Sequence, residues 1–370
     1  MKKTTVAIDC RPLENEYAGH GIGTVVRNIL SSLQKTQFAT NIELFATTNN
    51  KNIPHFSCKR LWRPSWREWV WEQLFLPFDI ALSRCSVYHS TVSLGPIRSV
   101  ALPFLSTAKT IATVYDLNSF KCEALKHTSK TRSFKIQTLA LKKAAAIVTF
   151  SQYVKKHITE SFSIVPEMIV VLPVAVDKRI AEVYEKAHYE CHCDGHYIFS
   201  MGETANKNIE TVITVFETLV SNGYRGNLRI AGLLSLQPDS VKDRYKKSFC
   251  KEKIHFLGRI SVNQLVGEYA HCDFFIYPSI CEGFGLPVIE AMYCAAPVLC
   301  SSVTSLPEAG GEAALYCDPF DVDTFVTNAS LVTADKKFRN RLIDEGRRHA
   351  SANSWDDTAE KLITLYKKLL

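Results

Sequence analysis

The stretch FFIYPSICEGFGLPVIEAMY, Phe274–Tyr293, sets the reading of the whole chain. Its apolar opening, Phe274–Tyr277, predicts a buried strand. Pro287–Tyr293 predicts a helix with Pro in its first turn, where a missing N–H costs nothing. Between them runs Gly283-Phe284-Gly285-Leu286-Pro287, a tight loop of little bulk. Strand, glycine loop and helix N-terminus make an anion cradle, because backbone N–H groups and the positive helix end are left open there. Two carboxylates flank the cradle. Glu282 lies in the loop and Glu290 about one turn into the helix, with seven residues between them. Carboxylates beside a sugar or ribose accept hydrogen bonds from hydroxyl pairs. The plain alternative is an ordinary strand–turn–helix with solvated Glu side chains.

Outward from that stretch, length and composition set bounds. At 370 residues the chain exceeds one typical core, and two domains are expected. An apolar fraction of 46% and a charged fraction of 22% are those of a globular protein. No run of 18 uncharged apolar residues occurs, so no transmembrane helix is expected. MKKTTVAIDC reads as a first strand, not a signal peptide. The 12 cysteines are scattered, mostly in apolar segments, which implies a reducing cytosol. One group, His188, Cys191, His192, Cys193 and His196, has the residue types of a zinc site but no standard zinc spacing. Charge is divided unevenly: residues 1–174 carry 22 Lys and Arg against 11 Asp and Glu, residues 175–370 carry 22 against 26. A basic first half implies an anionic partner: a membrane surface, a phosphorylated lipid or nucleic acid.

In chain order, strands are expected at Thr4–Asp9, Ile42–Thr47, Val87–His89, Leu102–Leu105, Thr110–Tyr115, Ala145–Phe150 and Ile169–Leu172. A glycine loop, Gly19–Gly23, precedes helical spacing over Val25–Leu33. LWRPSWREWVWEQLFLP holds Trp62, Trp66 and Trp69 at helical spacing, with Arg63 and Arg67 between. Packing against the domain is the first use of such rings, and a lipid headgroup interface the second. A basic stretch from Lys121 to Lys143 ends in a helix expected over Ser133–Ala144. The grammar restarts after a linker, Pro173–Gly195. Strands are expected at Tyr197–Met201, Leu228–Ala231, Ile254–Leu257, Phe274–Tyr277 and Pro297–Cys300. Helices are expected at Asn208–Val220, Val322–Thr333, Asp335–Ala350 and Trp355–Leu370. Alternation of strand and helix implies two doubly wound, Rossmann-like parallel sheets, residues 1–174 and 196–352, with ligand bound at the carboxyl ends of the strands.

With these motifs in place the chain resembles the retaining glycosyltransferases of family four. The likeness is to bacterial mannosyltransferase-type members that build O-antigen and other surface polysaccharides. It is carried by GHGIGTVVRNIL, WEQLFLP, TVYDL, AAAIVTFSQYVKKHI, VVLPVAVD, GETANKN, HFLGRIS, YPSICEGFGLPVIEAM and the closing SWDDTAEKLITLY. The resemblance implies a GT-B fold: an acceptor-side domain, a linker at 175–195, a donor domain, and a C-terminal helix, 355–370, crossing back to the first. It implies that Glu282 stabilises charge at the donor's anomeric centre and that Glu290 binds the ribose hydroxyls. It places Phe284, Gly285 and Leu286 against sugar and diphosphate, Lys207 on the diphosphate, and Gly21 and Gly23 near it from the other domain. Arg259 borders the nucleobase. The implied activity is retaining hexosyl transfer from a nucleotide-diphosphate sugar, GDP-mannose first, to a lipid-linked or oligosaccharide acceptor. No metal or cofactor is implied. The implied location is cytoplasmic, peripheral on the inner membrane face, with no nucleic-acid partner.

The sequence departs from the family in two places. Tyr115-Asp116 stands where relatives have His-Asp, at a position of sugar or acceptor contact. Glu203 and Asn206 stand where relatives place an Arg beside the lysine. These departures carry a second reading, a degenerate nucleotide-sugar-binding subunit without turnover. An epimerase on the same fold fits the EGFGLP segment less well.

Overall fold

The computed structural model describes residues 5–14, 16–19, 21–46, 56–61, 72–91, 102–117, 139–187 and 195–370. They fall into two units, one of Met1–Lys121, Lys126–Val174 and Asn353–Leu370, the other of Cys122–Leu125 and Ala175–Ala352. Trp62, Trp66, Trp69, the basic stretch 121–138 and the potential zinc ligands at 188–193 lie outside the described residues.

Unit 1 holds a seven-stranded parallel sheet in the order β3-β2-β1-β4-β5-β6-β7. Its strands are β1 Val6–Asp9, β2 Ile42–Ala46, β3 Ser57–Arg60, β4 Val87–Ser90, β5 Lys109–Thr113, β6 Ala146–Thr149 and β7 Ile169–Val171. The central strands are apolar runs buried on both faces, as a sheet covered by helices requires. Two of them nevertheless carry polar side chains inward. The Asp9 carboxylate is buried and held by Arg11 at 2.6 Å and by the Tyr88 hydroxyl at 3.0 Å. His89 is buried between the Tyr366 hydroxyl (2.7 Å from Nδ1) and Thr113 Oγ1 (2.8 Å from Nε2). Burial, the larger effect, lowers His89 to about 3, against the partial opposition of Asp9.

The helix Trp355–Leu369 opens on a capping box, Ser354 with Asp357, and packs against the helix Gly21–Gln34 of unit 1. Thr358 Oγ1 donates to Pro173 O at 2.8 Å, and Tyr366 stacks on Phe38. The C-terminal segment therefore returns to the first sheet across the whole of unit 2 in sequence.

Unit 2 holds a six-stranded parallel sheet, β10-β9-β8-β11-β12-β13. Its strands are β8 Tyr197–Met201, β9 Asn227–Ala231, β10 Ile254–Gly258, β11 Phe274–Tyr277, β12 Val298–Ser301 and β13 Leu315–Cys317. One apolar cluster fills the space between sheet and helices, with Phe216, Phe274, Ile276 and Phe325 at its centre.

Most of the expected strands are present within a residue or two, and three features differ. Leu102–Leu105 is not in the sheet: Pro103 offers no N–H to a ladder, and the side chain of Gln73 takes the segment's backbone instead, bonding Leu102 O at 3.0 Å and Phe104 N at 2.8 Å. The edge strands β3 and β13 were not expected. SCKR has no apolar alternation and LYC is three residues long. The stretch expected as linker contains a helix, Lys178–Glu185, started by the Asp177 carboxylate accepting from Arg179 N.

Candidate functional site

β8 and β11 are neighbours in register in the second sheet, so the loops leaving their carboxyl ends meet. The loop after β8 is pinned to the loop after β11 by backbone and amide bonds. Ile280 N donates to Asn206 O at 2.8 Å, Asn206 Nδ2 to Cys281 O at 3.0 Å, and Asn208 Nδ2 to Pro278 O at 3.2 Å. Gly202 has φ +140°, and a Cβ there would lie 2.4 Å from Lys207 Cγ. Glycine at this position lets the lysine stem fold back over the strand end and point its ammonium at β11.

The ammonium ends in a compact polar group. Lys207 Nζ lies 2.6 Å from Glu282 Oε1 and 2.7 Å from the Tyr277 hydroxyl. The same hydroxyl donates to Glu282 Oε1 at 2.7 Å, and Ser279 Oγ lies 2.6 Å from that oxygen. Side-chain exposure is 23% for Lys207 and 12% for Glu282, so both are reachable but largely shielded. The Glu282 backbone is fixed as well: its N–H donates to Thr304 Oγ1 and its carbonyl accepts from Ser305 Oγ. Burial first, and the Glu282 carboxylate second, hold the Tyr277 phenol protonated well above its usual range.

The helix Leu286–Tyr293 follows, with Pro287 in its first turn and Gly285 as the residue before it at φ +109°. A Cβ on Gly285 would meet Leu306 Cδ2 at 2.6 Å, so both conformation and space select glycine. Glu290 is the fifth residue of this helix and 7% exposed. Burial, then the negative charge of Asp177, raise its carboxyl to about 8, with Arg179 pulling the other way. Arg179 is itself bound to Asp177 at 2.6 Å.

The structure thus brings Lys207 and Glu282 together at the carboxyl ends of the central strands β8 and β11, with Phe284, Gly285, Leu286 and Glu290 on the loop and helix that follow β11. Arg259 is exposed just after β10, whose last residue, Gly258, pairs with Gly232. Gly21 and Gly23 belong to unit 1 and open the helix Gly21–Gln34 as its first turn, where the sequence had implied a loop. Tyr115 is also in unit 1, buried and stacked on Phe150 with centroids 5.4 Å apart. Burial and, less strongly, Asp9 raise its phenol above the usual range. Asp116 follows it directly. Glu203 does not face Lys207: its carboxylate accepts from Leu233 N at 2.7 Å. Asn206 is buried in the loop pinning described above. His196 is hydrogen-bonded to Asp273 at 2.8 Å.

Sequence reasoning gave no role to Tyr277, Ser279, Asp177 or Arg179. Tyr277 and Ser279 flank Pro278 beside the Glu, a spacing that was visible, but Tyr277 was read only as strand. Asp177 and Arg179 lay in the presumed linker.

Two parallel-sheet α/β units with a helical C-terminus are the architecture of GT-B glycosyltransferases, which are among the chain's structural neighbours. The crystal structure of Anabaena Alr3699/HepE in complex with UDP and glucose has TM-score 0.71 and 12% identity, covering 98% of this chain and 99% of that one. Residues 192–349 match the family model described as glycosyl transferases group 1. Among relatives, the O-antigen chain mannosyltransferase B of Escherichia coli is 29% identical over 271 residues, 70% of this chain and 71% of that one. The serotype-specific mannosyltransferase WbdA of Escherichia coli is 28% identical over 252 residues, 65% of this chain; the match spans only 31% of that longer protein.

Proposed function

We propose that the protein is a retaining glycosyltransferase of family four. It moves a hexose, mannose from GDP-mannose first, from a nucleotide-diphosphate sugar to a lipid-linked or oligosaccharide acceptor in surface polysaccharide synthesis. The observation that carries this reading is the Lys207–Tyr277–Glu282 group beside an open helix N-terminus, with the buried Glu290 behind it. The mannosyltransferase relatives support the hexose. The solved UDP and glucose complex of a protein with the same fold supports the nucleotide.

Lys207 and the N-terminus of Leu286–Tyr293 face the diphosphate and stabilise it as it leaves. Glu282 lies beside the anomeric carbon as positive charge grows there. The bond from that carbon to the phosphate oxygen breaks and the acceptor oxygen attacks from the same face. The departing phosphate takes the acceptor's proton, and configuration is retained. Glu290 receives the ribose hydroxyls. No metal takes part: the cation and the helix end supply the charge. Glu203, turned to Leu233 N, leaves the diphosphate position free of a repelling carboxylate.

Peripheral contact with an anionic membrane on the cytoplasmic side completes the reading. Among the described residues no helix is long and apolar enough to cross a membrane. Leu74, Phe78 and Leu82, spaced four apart, are 56%, 69% and 76% exposed. Such a row in the net-positive half of the sequence suits lipid headgroups.

A calorimetric screen against GDP, UDP, dTDP and their sugars tests the reading. Binding of one nucleoside diphosphate, and transfer from its sugar, is expected; binding of none would overturn it.

A further inference from the structure

Glu282 Oε1 sits among three donors, while among the described residues none bonds its other oxygen, Oε2. The three donors are not alike. Lys207 is a mobile cation whose partner changes once a diphosphate arrives. The Ser279 hydroxyl has one hydrogen and two acceptors in reach, Glu282 Oε1 and Asn206 O at 2.9 Å. Tyr277 differs from both. Its ring is buried at the end of β11, stacked on Phe275 with centroids 5.5 Å apart, and cannot swing away. Its hydroxyl spends its hydrogen on Glu282 and offers its lone pair to Lys207, 2.7 Å from each. The ammonium therefore sits at the hydroxyl edge of the ring, 5.2 Å from its centroid.

Without that hydroxyl, a lysine and a glutamate 2.6 Å apart would settle into the pairing that suits them alone. With it, Glu282 keeps Oε2 turned outward, and Lys207 is directed by an uncharged group that does not compete with phosphate for the ammonium's charge. We propose that Tyr277 is a positioning residue for sugar transfer. Its hydroxyl fixes Glu282, and the ammonium beside it, in the arrangement the transition state needs. This rests on the glycosyltransferase reading above and adds to it a role for Tyr277, which stands at the head of the quoted motif but reads there only as strand.

Tyr277→Phe tests it, because the ring and its stack on Phe275 remain. Kinetics are measured with whichever of GDP-mannose, UDP-glucose and dTDP-rhamnose the wild type turns over. A lost charge-assisted hydrogen bond felt only in the transition state should lower kcat by about 10- to 100-fold. The donor KM, and the calorimetric affinity for the matching nucleoside diphosphate, should stay within about threefold, since uniform binding is untouched. A merely structural tyrosine would leave kcat alone. Unchanged kcat in a folded Tyr277→Phe protein overturns the proposal, and so does a rise in KM with kcat unchanged. Incorporating fluorinated tyrosines at position 277 provides the control if the Phe variant folds poorly. These keep size and fold but grade the hydroxyl's donor strength, so kcat should track the substituent, and a flat series overturns the proposal. Glu282→Ala separates the two levels of inference. If it retains wild-type transfer, the reading of the site fails; if it is inactive while Tyr277→Phe is wild-type, only the positioning role fails.

Discussion

At the scale of single residues, Lys207 and Glu282 illustrate how one contact serves two states. Together they form an ion pair of 2.6 Å, shielded but not sealed from water. A ligand diphosphate outbids a single carboxylate for the ammonium because it brings more charge and more acceptor oxygens. Lys207→Ala and Glu282→Ala are each expected to lower sugar transfer at least about 100-fold, the size of effect seen when a transition-state charge partner is removed. Thermal unfolding should show both variants folded, since the loops are pinned by Asn206 and Asn208 and not by this pair. Glu290 gives a different signature, in pH. Its carboxyl is raised from the ordinary 4.5 to about 8 in the fold, by burial foremost. Between those values the native state holds a proton that the unfolded chain has released. Stability from this group is therefore full below about pH 4.5 and declines as pH rises to about 8. Glu290→Gln should flatten the decline, read from thermal midpoints at pH 5, 6, 7 and 8; an identical slope in both proteins would refute the assignment. Nucleoside binding that gives this carboxylate two hydroxyl donors should also release a proton near neutral pH.

Individual elements show which parts of the sequence were self-explanatory. β11 and the helix Leu286–Tyr293 were legible because apolar run, glycines and proline each demand the same local geometry. β3 was not, since an edge strand of SCKR carries a backbone pattern without a side-chain one. Gln73 could not be foreseen as the holder of Leu102–Phe104, being a long-range side-chain bond. The polar heart of the site was half legible. Glu282, Glu290 and Lys207 stand in recognisable motifs, whereas Tyr277 gains its role only when β8 and β11 pair and bring Lys207 to it. The terminal helix Trp355–Leu369 was plain as an amphipathic segment, but its anchor was not: Tyr366 reaches buried His89, and a neutral ring with one nitrogen donating and one accepting satisfies both Tyr366 and Thr113. With its folded value lowered to about 3, His89 contributes stability that is complete above about pH 6.5 and lost as pH falls toward 3. Tyr366→Phe strands one imidazole nitrogen away from water. It should cost about 1–3 kcal/mol, measured by urea unfolding at pH 7.5, and a loss near zero would mean that the helix docks by its apolar face alone.

Taken as a whole, the molecule has its net positive charge and one row of exposed apolar side chains in the same half of the sequence. Residues 1–174 have a net +11 and residues 175–370 a net −4. The exposed row of Leu74, Phe78 and Leu82 lies in that basic half, and Leu105, 79% exposed, is joined to it through the Gln73 bonds to its own segment. Lys143 sits over Phe104 of that segment. A lone apolar row could equally await a second copy of the chain, but a second copy brings the same net-positive half, whereas an anionic bilayer attracts both the apolar row and the positive charge. The two occupants respond differently to salt. Attraction to lipid headgroups weakens as the screening length falls from about 30 Å at 0.01 M to about 8 Å at 0.15 M salt, while apolar self-association does not weaken in the same way. The protein is therefore expected to sediment with vesicles containing phosphatidylglycerol at low salt, less so at physiological salt, and not with vesicles of phosphatidylcholine alone. Phe78→Glu with Leu82→Glu should remove the sedimentation while leaving nucleoside diphosphate affinity unchanged, since both residues belong to unit 1 and the Lys207–Glu282 group to unit 2. Dimerisation in the absence of vesicles, abolished by the same pair of substitutions, would instead assign the row to a second copy.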